Sequence, residues 1–98
     1  MDDAGETFAP GNAYAQAQRC FEIAQAALAE LGVGMHQVVR SRMYVTDISR
    51  WAEYGQAHQE FFGEHPPVTT MVEVKGLINP DMLIEVEIEA MLAPLATG

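Results

Sequence analysis

The chain has 98 residues and a mass of 10.7 kDa, enough for one domain with a single modest core. Five Lys and Arg residues stand against fourteen Asp and Glu residues, so the formal net charge is −9 at pH 7. Proteins that neutralise phosphates need the opposite balance, and we therefore expect neither nucleic acid nor a membrane surface as a partner. No apolar run approaches the length of a membrane span, and the N-terminus lacks the features of a signal peptide. The sequence predicts an acidic, soluble, cytoplasmic protein.

The first half of the chain predicts a helix followed by a strand. After an irregular segment at 1–11, Asn12 can cap a helix over Ala13 to Leu31, and Gly32 provides the left-handed stop of a helix C-terminus. The apolar helix face comprises Ala17, Phe21, Ala24, Leu28 and Leu31, and the residues away from it include Gln16, Arg19, Glu22, Gln25 and Glu30. From 38 to 46 the period changes to two, which predicts a strand. Its two faces are Val39, Ser41, Met43 and Val45 on one side and Arg40, Arg42, Tyr44 and Thr46 on the other.

The second half predicts one helix and two strands. Asp47 can cap a helix over Arg50 to Gly63. The apolar stripe of this helix consists of Trp51, Tyr54, His58, Phe61 and Phe62. Two strands follow, over Thr69 to Leu77 and Met82 to Leu92, and a short turn at 78–81 joins them.

The order helix, strand, helix, strand, strand predicts an α+β fold, a single domain over 1–98 with both helices on one face of a small sheet. The residues expected on the other face are Arg40, Arg42, Tyr44, Thr69, Met71, Glu73, Glu85 and Glu87. A three-stranded sheet with long edges and one uncovered face is poorly stabilised as a monomer. We therefore expect the chain to associate with copies of itself.

The last strand carries candidate catalytic carboxylates. Glu85, Glu87 and Glu89 lie on one face at intervals of roughly 6–7 Å, and Glu73 is expected to join them from the neighbouring strand. Like charges this close raise each other's pKa, which would provide a general acid or a base that orients water. In the other interpretation, the carboxylates form a solvated face or pair with the arginines of the first strand. The residues alone leave both interpretations open.

Other chemically active side chains favour structural roles. The three histidines lack the spacing of metal ligands, so we expect no metal and no cofactor, and His58 is expected in the core. Cys20 is expected to be a buried, unreactive thiol. Ser41, Ser49 and Thr70 have no visible base partner, which argues against nucleophilic catalysis.

Several short segments have the order and spacing of a known family. They are Val39–Asp47, Phe61–Phe62, Met71–Val74 and Glu85–Ala90, with Gln16–Ala17 and Leu31–Gly32 at the two ends of the first helix. Together they resemble the Rid/YjgF family over about residues 14–93. The resemblance implies a chorismate-mutase-like fold, a homotrimer, and ligand pockets between subunits.

The resemblance also implies an activity and a set of site residues. The best-known family members hydrolyse reactive imine and enamine products of amino-acid dehydratases, releasing ammonia and a 2-keto acid. In those members an arginine binds the substrate carboxylate and a glutamate on the last strand orients water. Glu87 matches the glutamate, but Thr69 stands at the arginine position, no arginine follows Arg50, and Gly55 replaces a family asparagine. The family's N-terminal hairpin is expected to be missing from this chain.

Two functions remain open from the sequence. The first is a Rid-like hydrolase of small molecules, with Glu87 as the catalytic residue, and with Thr69, Thr70 and Tyr44 as substrate contacts. The second is a non-catalytic trimer that binds a small metabolite. Because a threonine cannot replace a bidentate arginine, weak activity is expected on imines held by their carboxylate. A ribonuclease, a label also attached to this family, conflicts with the acidic charge and the absence of a His/Lys acid–base pair.

Overall fold

The computed structural model describes residues 8–92. Its helices and strands are, in chain order, α1 (Ala13–Glu30), β1 (Val38–Val45), α2 (Trp51–Phe62), β2 (Val68–Glu73) and β3 (Ile84–Ala90). Short 3₁₀ turns precede β1 and α2. The predicted order is therefore confirmed, although β2 and β3 are shorter than predicted. Of the irregular segment predicted at 1–11, residues 1–7 lie outside the described part. Within that part, no helix has the length and apolar character needed to cross a bilayer.

The central strand of the sheet is β1, and the strand order is β2-β1-β3. The α2 crossover makes β2 parallel to β1, whereas β3 pairs with the other edge of β1 in the antiparallel direction. The predicted turn between β2 and β3 is present, since the Met82 N–H donates to the Asn79 carbonyl at 3.0 Å. However, the two strands that it connects do not pair with each other. The expectation that β2 and β3 are neighbours was wrong, because β1 lies between them.

The alternation of β1 is interrupted near its start. Val38 is buried, whereas Val39, predicted on the covered face, is 44% exposed. The pairing with β3 shifts register between Val38 and Arg40, which marks a β-bulge. An extra residue in one strand reverses the side-chain alternation beyond it. From Ser41 onward the faces of β1 follow the prediction, with Ser41, Met43 and Val45 buried.

The two faces of β2 are the reverse of the predicted ones. Thr69 pairs with Ser41 and Thr70 with Arg42, so Thr69 shares the helix-covered side. The helix-facing residues are Thr69, Met71 and Glu73, and those on the other side are Val68, Thr70 and Val72. Glu73 therefore does not join the glutamates of β3, and its carboxylate accepts the Ile48 N–H at 3.0 Å.

Both helices pack on one face of the sheet, as predicted. The largest fully buried side chains are Phe21, Met43, Val45, Tyr54 and Ile84, together with Ser41. Phe21 meets the rings of His58, Phe61 and Phe62 at centroid distances of 5.6, 5.6 and 5.7 Å. Burying such a side chain contributes about 1.5–3 kcal/mol. Leu31 and Trp51, assigned to the apolar stripes, are largely exposed at or beyond the helix ends.

The ends of α1 are defined by the predicted residues. The Asn12 side chain accepts the Ala15 N–H at 2.9 Å and caps the first turn. At the other end Gly32 has a φ of +75°. The N–H groups of Gly32 and of the residue after it donate to the Ala29 and Leu28 carbonyls. This is a Schellman motif, which requires the left-handed conformation that glycine adopts without strain.

Gln16 is a buried polar link between α1 and the segment before β3. The residue is 5% exposed. Its amide N–H₂ group donates to the carbonyls of Ala9 at 3.3 Å and Asp81 at 3.1 Å, and its oxygen accepts the Leu83 N–H at 2.8 Å. The sequence placed Gln16 away from the apolar face, and that assignment was wrong. Its three hydrogen bonds offset the cost of burying the amide.

Candidate functional site

The sheet face that the helices leave uncovered, here called the open face, carries three columns of side chains. They are Val68, Thr70 and Val72 from β2, Arg40, Arg42 and Tyr44 from β1, and Glu89, Glu87 and Glu85 from β3. The strand register aligns Thr70, Arg42 and Glu87 in the central row. A cationic column therefore lies between a mostly apolar column and an acidic column.

Two side chains of β1 hold the carboxylate of Glu87. The Arg42 Nη1 atom donates to Glu87 Oε1 at 2.8 Å, and the Tyr44 hydroxyl donates to the same oxygen at 3.0 Å. No residue in the range 8–92 hydrogen-bonds to the second oxygen, Oε2. The Glu87 side chain is 52% exposed. The carboxylate is thus anchored through one oxygen and open to solvent through the other.

These contacts lower the pKa of Glu87, chiefly through the hydrogen bond from Arg42 and secondarily through that from Tyr44. The expectation that the neighbouring carboxylates raise this pKa was wrong, because the hydrogen bonds from Arg42 and Tyr44 favour the ionised carboxylate. Arg42 also lies 3.3 Å from Glu89. Arg40 lies 3.8 Å from Glu89. The interpretation in which the glutamates pair with arginines across the sheet is therefore confirmed for Glu87 and Glu89.

The structure brings some of the predicted site residues together. Tyr44 contacts Glu87 directly. Thr70 shares the open face but lies on the far side of Arg42 from Glu87, at two interstrand spacings, or roughly 10 Å. Thr69 faces the helices instead. Within one chain, only Tyr44 of the three predicted substrate contacts adjoins Glu87.

A hydrogen-bond network links the buried Ser41, the half-buried His58 and the exposed Thr69 on the helix-covered side. His58 Nε2 lies 2.8 Å from Ser41 Oγ, although the sequence indicated no base partner for this serine. Ser41 donates to Thr69 Oγ1 at 3.2 Å, and Thr69 donates to the Pro67 carbonyl at 3.0 Å. Nε2 also lies 3.3 Å from Thr69 Oγ1, and the tautomer of His58 decides whether this nitrogen donates to the hydroxyls or accepts from them. The three side chains tie α2 to β1 and β2.

Burial supports structural roles for His58 and Cys20. Burial lowers the pKa of His58, so the neutral ring is favoured, as expected for a core histidine. Burial also raises the pKa of the Cys20 thiol, which disfavours the reactive thiolate. Among residues 8–92, no group of three His, Cys, Asp or Glu side chains is placed to hold a metal ion.

A cleft lies at the C-terminal end of α2. This cleft of about 380 Å³ contains none of the predicted site residues. Its lining includes His36 and His65, whose ring centroids are 6.2 Å apart, and the aromatic ring of Phe61. Sequence reasoning missed it because the two histidines are distant in the chain.

The comparisons with known proteins show the family and the fold of this chain. The model of the Endoribonuclease L-PSP family matches residues 1–92. The chain belongs to this family, which is the Rid/YjgF family. Among solved structures, the Rv2704 protein of Mycobacterium tuberculosis, a family member, is 46% identical with a TM-score of 0.79, over 81% of this chain and 67% of that chain. The YjgF gene product of E. coli is 28% identical with a TM-score of 0.75, over 83% of this chain and 65% of that chain. These likenesses confirm the predicted chorismate-mutase-like fold.

Two further relatives match most of this chain. An uncharacterised protein of Streptomyces coelicolor is 36% identical over 83 residues, which are 85% of this chain but 62% of the relative. The 3-aminoacrylate deaminase RutC of Acinetobacter baylyi is 30% identical over 89 residues, covering 88% of this chain and 68% of the deaminase. The chain thus spans about three fifths to two thirds of the length of these relatives.

Proposed function

We propose that this chain is a Rid-type hydrolase that releases ammonia from small imine or enamine metabolites, with Glu87 orienting the attacking water. The observation that carries the proposal is the Glu87 carboxylate, which Arg42 and Tyr44 hold through Oε1, while Oε2 has no hydrogen-bond partner among residues 8–92. The 30% identity to a 3-aminoacrylate deaminase supports the substrate class.

The proposed chemistry needs one well-placed carboxylate. An enamine first gains a proton on carbon and becomes the iminium ion, the protonated form of the imine. Water, hydrogen-bonded to Glu87 Oε2, then attacks the imine carbon, so that a C–O bond forms and the water proton passes to the carboxylate. The nitrogen of the resulting carbinolamine takes a proton back from the carboxylic acid, and the C–N bond breaks to release ammonia. The hydroxyl group loses its proton to water as the carbonyl compound forms. A carboxylate that stays ionised is suited to accept the hydrogen bond from water.

The lowered pKa of Glu87 limits its role to that of a mild base. A weakly basic carboxylate removes a proton slowly, and it therefore acts mainly by holding water in line with the imine carbon. In the proposed homotrimer, a second copy would cover the open face and exclude bulk solvent from this site. Excluding water strengthens every hydrogen bond within the pocket.

We do not propose that this chain is an endoribonuclease, although the matching family has that name. A formal charge of −9 opposes binding to a phosphate backbone. On the open face, three glutamates outnumber two arginines, and both arginines contact glutamates. A small-molecule substrate fits these charges better than RNA.

The second candidate is a non-catalytic trimer that binds a small metabolite. The observation that favours it is Thr69, which stands at the arginine position of the family and faces the helices instead of the open side. In this alternative Glu87 would contact a ligand without turning it over.

The test is a matched pair of substitutions on β3. The wild-type chain is assayed for ammonia release from 3-aminoacrylate, 2-aminoacrylate, 2-iminobutyrate and aminomuconate-like compounds. Glu87→Gln keeps the shape but removes the charge, and we expect turnover of the best substrate to fall by about 10²–10⁴. Glu85→Gln changes the same face two residues away and is expected to retain turnover within a few-fold. Full turnover by Glu87→Gln would exclude the proposed role, and no turnover of any compound by the wild type would favour the metabolite-binding alternative.

A further inference from the structure

The cleft at the C-terminal end of α2 lies apart from the residues of the open face. Its volume of about 380 Å³ falls within the roughly 300–1,000 Å³ that is typical of small-molecule sites. Its walls come from α1, the turn before β1, the last turn of α2 and residues 63–65. None of the described residues in its lining belongs to a strand, so a ligand bound there would leave Glu87 free.

Three polar side chains of this lining have hydrogen-bonding atoms that the described part of the chain does not occupy. The ring centroids of His36 and His65 are 6.2 Å apart, and the ring planes are inclined at 60°. Within residues 8–92, neither imidazole nor the Glu64 carboxylate takes part in a hydrogen bond or an ion pair. A neutral imidazole has one acceptor nitrogen, and an ionised carboxylate only accepts. The cleft therefore offers acceptors to a ligand that donates hydrogen bonds.

The position of the His36 ring depends on the glycine two residues before it. A Cβ atom at Gly34 would lie 2.6 Å from Cε1 and 2.7 Å from Nδ1 of the ring. The ring thus occupies the space that a side chain at position 34 would fill. The Gly34 N–H donates to Gln37 Oε1 at 2.9 Å, which closes the short turn that carries His36. The backbone before β1 therefore places this imidazole in the wall of the cleft.

The charges around the cleft favour a cationic ligand. Glu60 and Glu64 lie in the lining, and none of the described lining residues is a lysine or an arginine. The Glu60 carboxylate is held by the Tyr14 hydroxyl, which donates to it at 2.6–2.7 Å, whereas Glu64 is free to contact a ligand. The cleft also includes the C-terminal end of α2, where the helix dipole places a partial negative charge. A carboxylate would be repelled by this surface, and an ammonium group would be attracted.

We propose that this cleft binds a small organic cation, a primary ammonium group on a short apolar chain or ring. The ammonium group has three N–H donors, which suit the Glu64 carboxylate and the acceptor nitrogens of His36 and His65. Phe61 and Met35 are also in the lining and provide an aromatic ring and a thioether for the apolar part. The site is independent of the hydrolase function proposed above.

The test compares two probes of the same shape, 2-phenylethylamine and 2-phenylethanol, by NMR titration of the full chain at pH 7.5. The amine is protonated at this pH and the alcohol is neutral. Wild type is expected to bind the amine at least about fivefold more tightly, because only the amine forms a charged hydrogen bond with Glu64. The amine should shift the backbone amide signals of residues 61–65.

Two substitutions remove the proposed contacts one at a time. Glu64→Gln keeps the size of the side chain but removes its charge, and the affinity for the amine should fall at least about fivefold while that for the alcohol stays within about twofold. His65→Leu removes one acceptor nitrogen and should weaken amine binding by about threefold, as expected for a hydrogen bond to a neutral group.

Glu85→Gln is the matched control, since it removes the same charge from the open face, outside the cleft. Its affinity for the amine should stay within about twofold of wild type, and circular dichroism checks that each variant is folded. Equal affinity of wild type for the two probes would overturn the inference, as would shifts that leave residues 61–65 unchanged. Equal losses in the Glu64 and Glu85 variants would also overturn it, because they would show attraction by overall charge instead of a site.

Discussion

A single hydroxyl group contributes to the charge state of the candidate site. Tyr44 donates to Glu87 Oε1 at 3.0 Å, on the same oxygen that Arg42 contacts. Both donors favour the ionised carboxylate, so the folded pKa of Glu87 lies below its ordinary value. The stabilisation from these contacts is present at pH values above the unfolded pKa and is lost as the pH falls through the folded pKa.

Replacing Tyr44 tests whether its hydroxyl group lowers the pKa of Glu87. In Tyr44→Phe the aromatic ring stays but one donor to Oε1 is lost, so the pKa of Glu87 should rise toward its ordinary value. NMR titration of the Glu87 carboxyl carbon measures the change. Tyr14→Phe is the control, since the Tyr14 hydroxyl donates to Glu60 instead. An unchanged Glu87 pKa in Tyr44→Phe would contradict the assignment of Tyr44 as a contributor.

At the scale of residues, the sequence predicted the side-chain positions that follow from local alternation. It missed those that depend on contacts between residues distant in the chain. Alternation along β3 placed Glu87 on a polar face, and alternation along β1 placed Tyr44 on the same side. The Ser41–His58 contact joins residues 17 positions apart, so no local spacing indicates it. The burial of Gln16 depends on Asp81 and Leu83, which are more than 60 positions away.

At the scale of elements, the order of the helices and strands was predictable but the pairing of β2 was not. The apolar periods of α1, α2 and β3 are clear because each buries one face in the core. β2 is an edge strand whose residues are exposed except for the half-buried Met71. Because so few of its side chains are buried, β2 has no strong alternation of apolar and polar residues. An error of one residue in assigning that alternation exchanges the two faces of the strand. Proximity in the chain also suggested a β2–β3 pair, but the βαβ crossover placed β2 on the opposite edge of β1.

Two glycine-to-alanine changes in the helical region should have opposite effects on stability. Gly32 has a φ of +75° at the end of α1, so Gly32→Ala should destabilise the fold by about 1 kcal/mol. Gly55 lies inside α2, and a Cβ there meets no heavy atom within 4 Å. Gly55→Ala should therefore stabilise by about 0.5–1 kcal/mol through its higher helix propensity.

Urea denaturation at one fixed protein concentration measures both changes. The pair controls for the chemical substitution itself, because each variant adds one methyl group. A stabilising Gly32→Ala would contradict the role assigned to the Schellman motif, and a destabilising Gly55→Ala would show that α2 lacks room for the added methyl group.

At the scale of the whole molecule, the packing of one chain does not account for the hydrophobic residues on the open face. Val68 and Val72 are exposed hydrophobic residues on that face, next to the arginine column. A second copy covering this face would bury these side chains and close the Glu87 site. The homotrimer proposed from the family resemblance would provide that cover.

Light scattering coupled to size exclusion tests the assembly. Wild type is expected to have three times the 10.7 kDa chain mass. Thr70→Arg adds a charge in the central row of the open face and should shift the population toward monomer. Ala27→Arg adds the same charge on the exposed side of α1 and should leave the mass unchanged. A wild-type monomer at micromolar concentration, or equal behaviour of the two variants, would argue against burial of the open face between copies.

The position of the central strand in the chain has a consequence for synthesis on the ribosome. β1 emerges before both of its partners, since β2 and β3 begin at Val68 and Ile84. Until those residues leave the exit tunnel, neither edge of β1 has a hydrogen-bonding partner from its own sheet. The nascent chain therefore exposes two unpaired strand edges, and β3 closes the second of them last. Early folding must depend on α1 and α2, and the candidate site on the open face forms only when the final strand docks.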